Sequence, residues 1–119
     1  MGTGLNHVYP QTHEELFSQI IQQGAALSQF VPGFTGYRSG RNFLQRNHVL
    51  VGMAQVLVVV EAEQRSGSAA AIRAALACGR PVGLLRSLVE AEDWAAQLTD
   101  SGRAFVVAGT EDVVRRVEI

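Results

Sequence analysis

The sequence predicts an α/β fold: a doubly wound, mostly parallel sheet with helices on both faces. Three observations lead there. Helical and strand patterns alternate along the chain. No repeat of roughly 20–50 residues and no low-complexity tract interrupts them. The run from Val56 to Glu61 is apolar and β-branched without alternation, as a parallel strand covered on both faces requires. At 119 residues and 47% hydrophobic, the chain is long enough for one compact domain, residues 1–119, and too apolar for whole-chain disorder.

The elements follow in order. Thr12-His-Glu-Glu15 has the form of a capping box, in which Thr12 accepts from a first-turn amide and Glu15 reaches back. Leu16, Phe17, Ile20 and Ile21 then form one apolar helical stripe that Gly24 closes. Ala25 to Phe30 reads as a short strand. The stretch from Val31 to Gly40 holds Pro32, Gly33, Gly36 and Gly40 and reads as a loop long enough to carry function. A helix is expected from Arg41 to Ala54, then the strand Val56 to Glu61. Ser66-Gly-Ser68 opens the next helix, which ends at Cys78 before Gly79. Pro81 to Leu85 is a strand, Glu90 to Thr99 a helix, Arg103 to Val107 the last strand, and Thr110 to Val117 a helix capped by Thr110. Sheets of this type bind ligands in the crevice outside the carboxyl ends of their strands.

Charge is unevenly spread although the net charge is only −1. Every basic residue is arginine. From Leu16 to Val60 there is no acid, but there are Arg38, Arg41 and Arg46, with His48 beside them. From Ser87 to Ile119 acids outnumber arginines, and Arg103 there is expected to contribute little to an anion site. No apolar run approaches the roughly 20 residues of a membrane helix, and no leader pattern opens the chain, so a soluble cytoplasmic protein without a membrane partner is expected. The lone Cys78 reads as a small core residue, and His7 and His13 lack metal-ligand spacing, so neither a metal nor a cofactor is expected.

Residues leaving the carboxyl ends of the expected strands include Arg38, Glu61, Arg65, Ser66, Gly67 and Ser68. A serine followed by glycine at a helix start is either a plain N-cap or a set of amides for a phosphate or carboxylate. In the Arg41–Ala54 helix, Arg41, Gln45, His48 and Gly52 share a polar stripe, whereas Arg46 and Asn47 fall in the apolar half. A guanidinium there needs a partner: Glu61, an edge to which it snorkels, or a ligand. Asn47 reads as a tie to a neighbouring loop.

The runs Gly4-Leu-Asn-His-Val-Tyr-Pro10, Gly24-Ala-Ala-Leu-Ser-Gln-Phe30, Pro32-Gly33, Asn42-Phe43, Arg46-Asn47, Leu57 to Ala62, Arg65-Ser-Gly-Ser68 and Gly79-Arg80 closely resemble the DNA-processing protein A family (DprA/Smf). The resemblance covers nearly the whole chain. It implies a Rossmann-like domain that binds single-stranded DNA through a basic pocket, dimerises, and helps load the RecA recombinase in natural transformation, with no catalytic activity. The P-G-G-x-G-T motif of the related phosphoribohydrolases is lacking. Where the family usually reads N-F-P-x-R-N-R, this chain has Asn42-Phe-Leu-Gln-Arg-Asn-His48, keeping Arg46 and Asn47. Met1-Gly-Thr-Gly4 falls in the middle of the family's sheet, so the domain is truncated relative to the family. That implies an exposed edge covered by a second copy or by a partner chain supplying the missing half.

Three functions are therefore weighed. In a single-stranded DNA binder, Arg38, Arg41, Arg46 and Arg65 neutralise phosphates, with Asn47 and His48 beside them. Ser66, Gly67 and Ser68 then donate amides, and Phe34, Tyr37 or Phe43 stacks a base or packs in the core. The alternative is a nucleotide or small-ligand module on the same crevice. An enzyme has only Glu61 and Glu63 as a carboxylate pair and is not expected.

Overall fold

A computed structural model describes residues 1–117. The chain folds as two compact units, Met1–Val49 and a second from Leu50 onward. The first holds a single 3-10 turn, Gln11–His13, the helix α1, Glu14–Gln23, and most of α2, Arg41–Met53. The second holds β1, Leu57–Val59; α3, Gly67–Ala77; β2, Val82–Leu85; α4, Arg86–Ala91; α5, Asp93–Asp100; β3, Phe105–Val107; and α6, Thr110–Val114. No described helix is long and apolar enough to cross a membrane.

The sheet is parallel and ordered β1-β2-β3. Leu57 pairs with Val82 and Val59 with Leu84, while Gly83 pairs with Phe105 and Leu84 with Val106. Side chains alternate along a strand, so Val59, Val82 and Leu84 share one face and Val58, Gly83 and Phe105 the other. The first face is the core: Val59, Val82 and Leu84 pack with Ile72 and Ala75 of α3, Leu88 of α4 and Ala95 of α5. On the opposite face, Arg116, just past α6, lies over the Phe105 ring. Gly83 is small for a local reason, because a Cβ there would stand 2.7 Å from Val107 and 2.8 Å from Phe105.

Several expectations are corrected. Ala25 to Phe30 forms no strand, because its polar groups pair elsewhere: the Ser28 hydroxyl donates to the Thr3 carbonyl at 2.6 Å and accepts from the Phe30 amide at 3.1 Å. Val56 to Glu61 shortens to β1 and is not covered on both faces. It is an edge strand, with Val58 and Val60 exposed. Thr12 caps nothing; it lies in the 3-10 turn, and α1 begins after His13 without a side-chain cap. The α1 stripe is exposed at Leu16, Ile20 and Ile21, and Cys78 is exposed rather than core. The helix expected over 90–99 is two helices, broken where Glu92 turns extended at ψ 120°.

Gly109, not Thr110, is the N-cap of α6, and the Asp112 carboxylate accepts from the amides of Ala108 and Gly109 at 2.9 and 3.2 Å. Those amides hold the Asp112 carboxyl below its ordinary value of 3.8. A carboxylate depressed by folding contributes stability above its unfolded pKa and loses it as pH falls through the folded one. Asp112→Asn is therefore expected to shrink the fall in Tm on acidification, as read by thermal melts from neutral to acid pH; an unaltered acid limb would refute the capping role.

Candidate nucleic-acid interface

In the first unit, the loop before α2 is organised by a residue the sequence reading did not single out for that task. Asn42 is 1% exposed. Its amide donates to the Gly2 carbonyl at 2.7 Å and accepts from the Tyr37 amide at 3.1 Å. A buried amide must satisfy its polar atoms, so Asn42 fixes the loop end that carries Tyr37. The signal was in the chain, as a polar residue one position into a helix, next to the apolar Phe43. Gly36, at φ +110°, packs its α-carbon side against the same amide, where a Cβ would meet Asn42 at 3.1 Å.

The loop aromatics form a ladder. Phe30 stacks on Phe34 with centroids 4.7 Å apart, Phe34 meets Tyr37 edge-on at 5.0 Å, and the Arg41 guanidinium lies 4.3 Å from the centre of the Tyr37 ring. Tyr37 is 41% exposed, and Arg38 and Arg41 are exposed beside it. Phe43 instead packs half-buried against Tyr9, with centroids 5.6 Å apart. A flat cation over an aromatic ring, flanked by a second arginine, presents both a stacking surface and phosphate donors.

Arg46 is half-buried and its Nε donates to Asn47 Oδ1 at 3.3 Å. Asn47 itself is buried. Its side chain accepts from Arg46 and so helps orient that guanidinium. The positive charge of Arg46 is felt at the Met1 amino group, whose pKa is lowered first by burial and then by that charge. Glu61 is exposed in the second unit, which removes the buried carboxylate that an ion-pair role for Arg46 supposes. His48 is exposed on α2.

In the second unit, Ser66 is the N-cap of α3. Its Oγ accepts from the Ala69 amide at 3.2 Å and donates to the Glu63 carbonyl at 2.7 Å. The hydroxyl is thereby committed to the cap, and the Ala70 amide donates to the Ser66 carbonyl at 3.1 Å. Arg65 and Gly67 are exposed and Ser68 is half-buried. The structure thus groups Arg38 and Arg41 around the Tyr37 ladder and Arg46 with Asn47, while Arg65 and Ser66 to Ser68 belong to the other unit.

The sequence model described as DNA recombination-mediator protein A matches residues 1–118. Protein Smf of Escherichia coli (strain K12) is 40% identical over 86 residues, which are 69% of this chain and 22% of that protein. DNA processing protein DprA of Streptococcus pneumoniae (strain ATCC BAA-255 / R6) is 30% identical over 120 residues, covering 99% of this chain and 42% of that protein. Among solved structures, DNA processing protein A from Helicobacter pylori, which has a described single-stranded DNA binding mode, superposes with a TM-score of 0.80 at 23% identity. That match covers 96% of this chain and 52% of the other. The S. pneumoniae DprA structure superposes with a TM-score of 0.72 at 26% identity, covering 99% and 41%. The chain spans less than half the length of either curated relative, and the likeness in fold is to the Rossmann-like domain of the two solved structures. Because the family model matches residues 1–118, nearly the whole chain, the chain belongs to the DNA recombination-mediator protein A family.

Proposed function

We propose that this chain binds single-stranded DNA in DNA uptake and recombination, in the cytoplasm, without catalysing a reaction. The observation that carries this reading is the Arg41–Tyr37 stack, 4.3 Å from cation to ring centre, inside a segment without acids. Bases stack on aromatic and guanidinium planes whatever their identity, and arginines beside them neutralise phosphates. Arg38, Arg41 and Arg46 serve as phosphate contacts, His48 lies beside them, and Asn47 holds Arg46. In the second unit Arg65 adds charge beside the helix start formed by Ser66, Gly67 and Ser68. RecA is the partner protein the family relationship suggests. A second copy, or a chain supplying a further part of the sheet, covers apolar side chains such as Ile20, Ile21 and Val60, which are about half exposed or more.

Titration with a labelled oligothymidine at several salt concentrations tests the reading. Several phosphate contacts on a single strand give a slope of log affinity against log salt of about −0.7 per contact. A steep slope is expected, together with no release of base from nucleoside monophosphates. A flat slope would point to a small-ligand module, and base release abolished by Glu61→Gln would point to an enzyme.

A further inference from the structure

The second unit has a concavity of about 400 Å³ at the amino ends of β2 and β3, the opposite end of the sheet from the Ser66 turn. Arg80, Arg103 and Arg116 line it, and among the described residues no carboxylate does. Two of these guanidinium groups are fixed by partners that leave their charge uncompensated. Arg80 donates from Nε to the Val51 carbonyl at 3.0 Å and from Nη2 to the Gly52 carbonyl at 3.1 Å, closing the C-terminal end of α2. Arg116 lies 4.4 Å from the centre of the Phe105 ring. Each still has N–H donors to spare, since a guanidinium carries five. Arg103 is exposed and belongs to the tail segment, where acids outnumber arginines in linear order; in space it faces two like charges.

Three cations around one hollow repel each other, and an anion that enters relieves that cost. Planar guanidinium groups match phosphate oxygens two at a time. Leu76, Val82 and Phe105 supply apolar surface in the same hollow, whose size falls in the range of small-molecule pockets, roughly 300–1,000 Å³. We propose that Arg80, Arg103 and Arg116 form a binding site for a phosphate group carried on a nucleotide-sized unit, separate from the residues assigned above to DNA. The unit is either a free nucleotide or one nucleotide of a strand passing that end of the sheet.

The test uses the 119-residue chain, isotope-labelled, titrated with adenosine monophosphate and separately with a short oligothymidine while backbone amide signals are followed. The expected result is movement of Gly79, Gly102 and Arg103, with Arg103→Ala and Arg116→Ala each weakening the affinity about tenfold, the loss of one charge-assisted contact. Neither substitution removes a helix cap, so Tm is expected to hold; Arg80 is left intact because it closes α2. Shifts with both ligands support a free-nucleotide site that a strand also reaches, and shifts with the oligomer alone support a strand contact. Binding that moves only Gly67 and Ser68, affinity unchanged in both variants, or no shift at millimolar ligand overturns the site. The first two outcomes leave the DNA reading standing, because Arg38, Arg41 and Arg46 are untouched in every protein used, whereas no shift anywhere in the chain with oligothymidine overturns both readings.

Discussion

Leu84→Ala is expected to lower the free energy of unfolding by about 2–5 kcal/mol, the range for emptying a buried leucine site. Leu84 is 0% exposed on the central strand and pairs in register with Val59 and Val106 on its two sides. Its side chain belongs to the one cluster that joins α3, α4 and α5 to the sheet, so the hole left by truncation has rigid walls and collapses little. A chain of 12.8 kDa has only about 5–15 kcal/mol to lose, so the variant sits near the limit of folding. Val31→Ala, in the loop before α2 and 71% exposed, is expected to change stability by less than about 0.5 kcal/mol. Denaturant unfolding of both variants decides the matter: equal losses would mean that the sheet face carrying Leu84 is not the core.

The α/β alternation from Val56 onward was legible because each element there has a local cause. Val82 to Leu85 is a short apolar run buried on the central strand, and Ser66 caps α3 as its sequence indicates. Gly79, at φ +70°, ends the following turn as a glycine is needed to do. What failed depended on partners that periodicity does not reveal. Ala25 to Phe30 has strand-like composition, but a strand exists only where a neighbour offers a ladder, and Ser28 and Leu27 are bonded to Thr3 and Met1 instead. The exposed side chains of α1 show the same limit: an amphipathic stripe states that a face is apolar and not what covers it.

The candidate interface divides along the same line. The acid-free arginine segment is a property of composition and could be read directly. The stack of Arg41 on Tyr37 and the control of that loop by Asn42 depend on side chains meeting in space. Arg103 lies where acids outnumber arginines in linear order, whereas the hollow it lines holds only arginines as charged groups among the described residues.

Arg46→Ala is expected to weaken oligothymidine binding by about 1–3 kcal/mol and to flatten the salt slope by roughly one ion, as for the loss of one phosphate contact. The side chain is half-buried, aligned by Asn47 and free of any acid in its own segment. A charge held this way forfeits little rotamer entropy on meeting a phosphate, so its removal is felt more than that of a mobile surface arginine. The competing role, an ion pair with a buried Glu61, requires a different outcome: a steep drop in Tm from an orphaned carboxylate, with DNA affinity intact in the folded fraction. Glu61 is exposed, so Tm is expected to stay close to that of the unmodified protein. Arg86→Ala, which removes an exposed arginine from α4 outside both proposed sites, supplies the reference for a change in net charge alone. If Arg46→Ala weakens binding no more than Arg86→Ala while melting normally, Arg46 is not a DNA contact, and the interface contracts to the Tyr37 ladder with Arg38 and Arg41.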